Sequence, residues 1–311
     1  MADPRKHHYN PAFYLSQWAE KDGNLCEIKK VYGKVLAQPK HPSATGFIRD
    51  LYRTDGVPEE YIQHVEKHFM SPLDNDASRA LDKILTGDRT LWTGNERTAW
   101  ATFLISLLFR NPENVTIIKD HIATMWLEGM RALEADYSAR RQPGDPKTFQ
   151  GYIALTNPAA PQIAASNFLM ETISNERVGP TIFNMRWTRH DLSHSKVRLL
   201  TSDRPIVMPF GLADQRAYIA LPISPTIVFL SAHDEQIARS FAGYRPTNLV
   251  KLLNKAVVSQ ARQFVWATDS TQLEFVRRYI GTAPDRAIIT EEQKQQALAA
   301  ARGQPPAEEH A

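Results

Sequence analysis

The pattern of apolar and polar positions changes period along the chain. Between residue 58 and about residue 178, apolar side chains recur every three or four positions, as on one face of an α-helix. Beyond residue 180 they fall into short runs bounded by turn residues, which is typical of strands. The pattern predicts helices at 58–71, 73–85, 95–110, 113–141, 163–177, 234–241, 247–262 and 272–280, and strands at 181–188, 196–201, 206–208, 217–221, 226–230 and 264–267.

The first fifty residues follow a different pattern. Alternation over residues 24–29, a turn at Gly33 and a second alternating run over residues 34–38 predict a β-hairpin. Residues 47–52 are predicted to add a short strand. The fold class predicted for the whole chain is therefore α+β, with a helical N-terminal half packed on a mixed or antiparallel sheet in the C-terminal half, and an N-terminal β-hairpin.

The same pattern predicts the domain organisation. Residues 1–283 are expected to form a single α+β domain, with a helical lobe at about 55–178 and a sheet lobe at about 180–280 that includes the hairpin. The clearest linker, Pro-Gly-Asp-Pro, occupies residues 143–146. Residues 284–311 are rich in Gln, Ala and Glu and contain no aromatic residue, so a flexible or marginally helical tail is expected.

Composition narrows the class of protein. The 311 residues are 42% hydrophobic and 23% charged, as in ordinary globular proteins, and the net charge of +3 neither requires nor excludes nucleic acid. The single cysteine, Cys26, fits a reducing compartment. The longest apolar run, residues 100–109, is too short to span a bilayer. We therefore expect a cytoplasmic protein that does not bind membranes.

The segment from Lys6 to Leu15 carries the densest group of chemically capable side chains. In an extended chain His7 and His8 point to opposite faces, which leaves one histidine able to enter a pocket as a general base or metal ligand. The residues that follow in the segment supply phenol and amide groups for binding a substrate. These predicted binding residues are Tyr9, Asn10 and Tyr14.

This segment, Lys-His-His-Tyr-Asn-Pro-Ala-Phe-Tyr-Leu, resembles the signature of the family called domain of unknown function 4238. Four later motifs fit the same family in the same order, and the resemblance covers most of residues 6–267. The family is named for its unknown function, so the resemblance implies no particular activity. The later motifs are Asp22-Gly23-Asn24-Leu25, Phe109-Arg110-Asn111-Pro112, Thr201-Ser202-Asp203-Arg204-Pro205 and Leu221-Pro222-Ile223-Ser224-Pro225.

Three charged residues within these motifs complete the candidate site. Asp203 follows a predicted strand and is the candidate catalytic acid, although a carboxylate before a proline also suits a structural role in a turn. Arg110 and Arg204 are candidate substrate-binding residues, since a guanidinium can form two hydrogen bonds to a phosphate. Arg110 is also placed where a cation stabilises a helix C-terminus.

Other motifs are absent from the sequence. His190 and His194 have the spacing of zinc ligands on a helix, but they fall in a predicted loop between strands, so a polar loop is favoured over a metal site. The chain has no glycine-rich phosphate loop, CxxC pair or dinucleotide-binding fingerprint. No cofactor or metal site is therefore assigned, the ligand is expected to be an unknown small molecule or nucleic acid, and the oligomeric state is left open.

Two functional hypotheses and one structural hypothesis remain. The first is a hydrolase of phosphoester bonds, such as a nuclease, in which His7 or His8 is a general base or a metal ligand. In it Asp203 orients the histidine or binds the ion, and Arg110 or Arg204 neutralises phosphate charge. The second is a noncatalytic sensor that binds a nucleotide or peptide, for instance in host defence. In the third, the N-terminal segment is a structural plug between the helical and sheet halves.

Overall fold

The computed structural model describes residues 5–88, 90–284 and 289–302. Helices dominate the middle of the chain and return near its end. Within the described residues the α-helices are α1 (Ala12–Leu15), α2 (Ser71–Thr86), α3 (Gly94–Phe109), α4 (Pro112–Ala132), α5 (Glu134–Arg140), α6 (Phe149–Thr156), α7 (Ala160–Ile173), α8 (Val178–Asn184), α9 (Glu235–Gly243), α10 (Pro246–Gln260), α11 (Leu273–Tyr279) and α12 (Glu291–Ala301).

All strand pairs in the described residues are antiparallel and form three sheets. The sheets have the strand orders β1-β4, β3-β2-β9-β6 and β5-β8-β7. The α+β class is therefore confirmed. The strands are β1 (Lys6–His8), β2 (Leu25–Val31), β3 (Lys34–Lys40), β4 (Phe47–Arg49), β5 (Arg186–Asp191), β6 (Thr201–Ser202), β7 (Tyr218–Pro222), β8 (Ile227–Ala232) and β9 (Phe264–Ala267).

The predicted N-terminal hairpin is formed by β2 and β3. Val31 pairs with Lys34 across a two-residue loop whose residues, Tyr32 and Gly33, both have positive φ values of 47° and 77°. Positive φ at both positions matches the turn that fits the natural twist of paired strands. β2 also pairs with β9, so the hairpin is part of the sheet built from the C-terminal region.

The sheet β5-β8-β7 is covered on two sides. Ile219 and Phe229 pack in a core with Trp100 of α3, whereas the neighbouring Leu230 packs in a second core with Leu253 of α10. Alternate side chains of a strand face opposite sides of its sheet. The buried apolar run of β8 follows from this position between two helical layers.

Several predictions about local structure are wrong, and the first of them concerns α8. Residues 181–184, predicted to begin a strand, belong to this helix, and β5 begins only at Arg186. The Asn175 side chain accepts hydrogen bonds from the backbone N–H groups of Arg177 and Val178, which satisfies donors at the start of the helix. Of the predicted strand at 196–201, only Thr201 is in a strand, and residues 206–208 contribute a single bridge between Val207 and Ala220.

The predicted interruption at Pro72 is also wrong. The chain remains helical through this residue, because residues Glu66–Met70 form a π-helical turn that leads directly into α2. The Ser71 N–H bonds to the carbonyl of Glu66, five residues earlier. Proline lacks an N–H and its ring crowds the carbonyl four residues before it, so a wider turn accommodates Pro72 without ending the helix. The predicted helix 113–141 is also divided, into α4 and α5.

The described part of the C-terminal region packs on the helices in the middle of the chain. The predicted tail, residues 284–311, lies partly outside the described residues. Its described part contains α12, which packs on α4, and the Arg302 Nε donates to Glu128 at 2.8 Å.

Among the described residues, no helix combines the length and apolarity needed to cross a membrane.

Candidate functional site

Strand β1 carries His7 into the interior. Pairing with β4 places His7 opposite Ile48 and turns its ring inward, where it is fully buried. The His7 Nδ1 accepts a hydrogen bond of 2.9 Å from the Tyr52 backbone N–H, and the two rings are stacked at 5.3 Å. His7 therefore anchors the loop after β4.

Tyr52 connects this histidine to a group of buried charges. Its hydroxyl donates to the Arg110 carbonyl at 3.1 Å, and the fully buried Arg110 side chain forms a 2.8 Å ion pair with Asp74 of α2. The Asp74 side chain is 21% exposed, so this pair lies at the edge of the protein interior. These residues have two ionisable neighbours, Glu66 and His8. We call the whole group the buried polar cluster; its members are His7, His8, Tyr52, Glu66, Asp74 and Arg110.

Burial shifts the protonation of this cluster. The pKa of Glu66 rises to about 7, mainly because the side chain is desolvated and secondly because Asp74 is close. Desolvation also raises the pKa of Asp74, against the attraction of Arg110. The pKa of His8 falls to about 4, through desolvation first and then the charge of Arg110. At neutral pH the His8 ring is neutral, and Glu66 is divided between its protonated and ionised forms.

Three atoms of the cluster have no hydrogen-bond partner within the described part of the chain. They are the His8 Nε2, the Glu66 Oε2 and the Arg110 Nη2, and each is buried. Buried polar atoms are paired in the great majority of cases. The cluster therefore contains buried donor and acceptor atoms whose hydrogen-bonding capacity is not used within the described part of the chain.

The remaining polar groups of the N-terminal segment attach it to the C-terminal strands. The Asn10 side chain donates to the Ser202 carbonyl at 3.0 Å. The Tyr14 hydroxyl lies 2.7 Å from the Thr201 hydroxyl and donates to the Pro222 carbonyl at 2.7 Å. The Tyr9 carbonyl accepts from the Arg110 Nε at 3.1 Å. These contacts give the predicted binding residues Tyr9, Asn10 and Tyr14 a structural role.

Asp203 holds the chain at the start of β9. Its carboxylate accepts backbone hydrogen bonds from Arg262, Gln263 and Phe264, at 2.9, 2.6 and 3.0 Å respectively. Burial raises the pKa of Asp203 to about 6, and the three amide donors oppose that rise. Both carboxylate oxygens are thus bonded to the backbone from the residues after α10 to the first residue of β9. This structural role differs from the one considered from the sequence, in which Asp203 caps the turn at Pro205.

Arg204, the next residue, lines an open cavity. The cavity has a volume of about 500 Å³ and lies between the α3–α4 junction and the C-terminal end of α10. We call it the Arg204 pocket. Its lining residues are Leu107, Leu108, Phe109, Asn111, Asn114, Arg204, Ile206, Val207, Met208, Pro209, Ala256, Ser259, Gln260, Arg262, Ala283 and Pro284.

The walls of the Arg204 pocket are held by internal hydrogen bonds. Gln260 donates from its side-chain amide to the carbonyls of Arg204 and Ile206. Asn111 caps α4 by accepting from the Asn114 N–H at 3.0 Å, and the Asn114 amide donates to the Leu108 carbonyl. Because these groups fix the backbone around the cavity, the pocket is formed before any ligand arrives.

The sequence motifs thus meet at two places. His7, His8 and Arg110 are brought together in the buried polar cluster, whereas Arg204 lines the pocket and Asp203 is bonded to the chain beside it. The junction at residues 109–112 contributes to both, because Arg110 belongs to the buried polar cluster and Asn111 lines the Arg204 pocket. Sequence reasoning missed four further members: Glu66, Asp74, Tyr52 and Arg262.

His190 and His194 are not arranged as a helical pair. His190 lies in β5, where its Nε2 is 3.0 Å from the Thr188 hydroxyl, and His194 follows the end of that strand. Across residues 5–88, 90–284 and 289–302, no group of three or more His, Cys, Asp or Glu side chains could hold a metal ion.

Fold and site together define an antiparallel α+β protein with a buried polar cluster and an adjoining pocket. A family model described as "Protein of unknown function (DUF4238)" matches residues 6–271, and the chain belongs to this family. The match begins at the N-terminal segment and includes the whole buried polar cluster and every lining residue of the Arg204 pocket except Ala283 and Pro284. Neither a search of curated proteins nor a search of solved structures returned a match.

Proposed function

We propose that this protein binds an anionic small molecule of the nucleotide class in the Arg204 pocket. The observation that carries the proposal is a preformed cavity of about 500 Å³ with two arginines, Arg204 and Arg262, in its lining. Ligand pockets usually measure about 300–1,000 Å³ and combine apolar walls with a few polar groups. Guanidinium groups suit phosphate because they form two parallel hydrogen bonds to it.

The other walls support the same ligand class. Leu107, Phe109 and Met208 provide apolar surface that suits a base or another flat group. The N-terminus of α4 borders the cavity through its cap residue Asn111, and a helix N-terminus favours negative charge. Glu113, in the first turn of α4, forms an ion pair of 3.9 Å with Arg204 and is 49% exposed, so an anionic ligand has to replace this carboxylate at the guanidinium.

Isothermal titration calorimetry tests the proposal. The purified chain is titrated with ATP, AMP, inorganic phosphate, uncharged adenosine and an acidic peptide. We expect a nucleotide to bind, with Arg204→Gln weakening it at least about tenfold, as loss of a charged contact implies. The control is Arg239→Gln, which removes an exposed arginine from α9. Equal binding by Arg204→Gln and the unaltered chain would place the ligand elsewhere, and binding of the peptide alone would favour a peptide sensor.

Phosphoester hydrolysis is the second candidate. The buried His8 Nε2, which has no partner among the described residues, favours it because a neutral imidazole can accept a proton. Burial and the charge of Arg110 oppose it, since they lower the pKa of His8 to about 4 and make it a weaker base. In this candidate Asp203 is a positioning residue, since its carboxylate is bonded to three backbone amides.

The hydrolase hypothesis is tested with the phosphomonoester p-nitrophenyl phosphate and the phosphodiester bis(p-nitrophenyl) phosphate. Hydrolysis is supported if the purified chain turns over either ester, His8→Ala lowers that turnover at least about a hundredfold, and Arg239→Gln leaves it unchanged. The size of the expected loss follows because general base catalysis contributes about 10²–10⁴-fold. The same turnover in His8→Ala and the unaltered chain would remove His8 from the reaction.

A further inference from the structure

Two histidines lie side by side on the surface where the helical run that contains α2 begins. His64 and His68 are both exposed, and their ring centroids are 4.9 Å apart with an angle of 35° between the ring planes. The backbone is helical from residue 64, and His68 lies within the π-helical turn Glu66–Met70. The two imidazoles therefore share one side of a single helical run, four residues apart.

This separation matches that of two imidazoles on one metal ion. A zinc–nitrogen bond is about 2.0–2.1 Å and the ligands of a tetrahedral ion diverge by about 109°, which puts the centroids of two bound rings about 5 Å apart. The observed separation of 4.9 Å is therefore compatible with one nitrogen of each ring binding a common ion.

We propose that His64 and His68 form a binding site for a divalent transition metal ion, Cu²⁺ or Zn²⁺. Imidazole nitrogen suits both ions, and among first-row metals Cu²⁺ binds such ligands most tightly. The pair is distinct from the buried polar cluster, whose nearest member in sequence, Glu66, is buried while both histidines are exposed. It is also independent of the ligand proposed for the Arg204 pocket.

The surroundings define the kind of site. With no third metal-ligating side chain grouped with the two histidines in the described residues, water completes the coordination of the ion. The Tyr61 ring lies 6.2 Å from the His64 ring and shields one side of the pair. Lys67 lies between the histidines in sequence and is exposed, so its charge opposes the ion and is screened by salt. These features predict a two-nitrogen site with open positions.

Electron paramagnetic resonance with Cu²⁺ tests the proposal on the untagged full-length chain. We expect one equivalent of Cu²⁺ to give a spectrum with hyperfine splitting from two imidazole nitrogens, and Zn²⁺ to displace it. His64→Ala and His68→Ala should each leave one nitrogen and weaken binding at least about tenfold, since even loss of an outer hydrogen bond to a metal ligand costs 10–100-fold.

The matched control is His194→Ala, which removes an exposed histidine from a loop. Its Cu²⁺ affinity and spectrum should equal those of the unaltered chain. Because His64 and His68 are exposed, near-ultraviolet circular dichroism of their variants should also be unchanged. A two-nitrogen spectrum that persists in either His64→Ala or His68→Ala, or the absence of a two-nitrogen spectrum from the unaltered chain, overturns the proposal.

Discussion

Glu66 and His8 titrate away from their ordinary ranges in opposite directions. Both shifts come first from burial, which disfavours the charged form of each group. For Glu66 the folded state binds the proton more tightly than the unfolded state, so its contribution to stability falls as the pH rises from about 4.5 to 7. For His8 the unfolded state binds the proton more tightly, so its contribution rises with pH between about 4 and 6.5.

The variant Glu66→Gln removes the contribution of Glu66 to the pH dependence of stability and leaves that of His8. Relative to the unaltered chain, its free energy of unfolding should increase by about 2–3 kcal/mol between pH 4.5 and pH 7.5, because each pKa unit is worth about 1.4 kcal/mol. Urea unfolding at four pH values in this range measures the difference. Glu274→Gln, a change at an exposed carboxylate of α11, is the control. A difference between Glu66→Gln and the unaltered chain that stays constant with pH would contradict the assignment.

Residue type and position predict some roles better than others. The sequence singled out Arg110 and Asp203 because a guanidinium and a carboxylate at chain bends are chemically capable. It could not show that Asp203 accepts hydrogen bonds from residues 262–264, since that contact exists only after distant segments pack together. Glu66 was missed because a glutamate on a helix normally faces water, and only the π-helical turn and its neighbours bury it.

At the scale of elements, Gly46 determines how closely the N-terminal segment packs. Its φ is +66°, and its carbonyl accepts the backbone N–H groups of both Tyr9 and Asn10. A Cβ at this position would lie 2.8 Å from the Asn10 carbonyl oxygen and 2.8 Å from the Leu15 Cδ1. The loop before β4 and the start of α1 can therefore approach each other only with glycine here.

Gly46→Ala should lower the free energy of unfolding by more than 3 kcal/mol, because it combines a left-handed backbone with a clash against a backbone atom. Gly87→Ala is a matched control, since Gly87 has a similar φ of +68° but open space around it. The control should cost about 1–2 kcal/mol. Urea unfolding of the two variants measures both values. Equal costs would mean that the close approach at Gly46 relaxes without penalty.

The elements differ in how well periodicity predicted them. The hairpin β2–β3 and helix α3 were predicted near their observed positions, because alternation and a long apolar run are local signals. The helix α8 was predicted as part of a strand, since a seven-residue segment contains too few turns to show a helical period. Its start depends on the Asn175 side chain, whose role becomes visible only with the fold.

At the scale of the whole molecule, β9 joins the two ends of the chain. It pairs with β2 on one side and with β6 on the other, and its Val265 and Trp266 side chains are fully buried. Its loss would leave two strand edges without partners in the middle of the sheet. The four-stranded sheet therefore exists only when both ends of the chain are present.

A chain that ends at residue 262 should lose cooperative urea unfolding and near-ultraviolet circular dichroism. Burying a side chain such as Val265 stabilises the fold by about 1.5–3 kcal/mol, and the loss of four strand residues approaches the whole stability of a typical domain. The control is a chain that ends at residue 284, which keeps β9 and lacks α12 and should retain both signals. Cooperative unfolding of the shorter chain would show that the sheet does not require β9.

The fold class could be predicted for the whole molecule, whereas the Arg204 pocket could not. Helical and strand periods are local and additive, so their order along the chain indicated an α+β protein. The pocket is built from four separated segments, around residues 107–114, 204–209, 256–262 and 283–284. Only tertiary packing brings these segments together, and no spacing in the sequence records it.

The pairing of β2 with β9 also governs when the protein can fold during its synthesis. Cys26 of β2 lies opposite Ala267 of β9, so β2 cannot form this pairing until about 240 further residues have been synthesised. At about 5–20 residues per second this wait is roughly 10–50 seconds. During that time the edge of β2 that pairs with β9 in the folded protein has no strand beside it, and such an edge can pair with other chains.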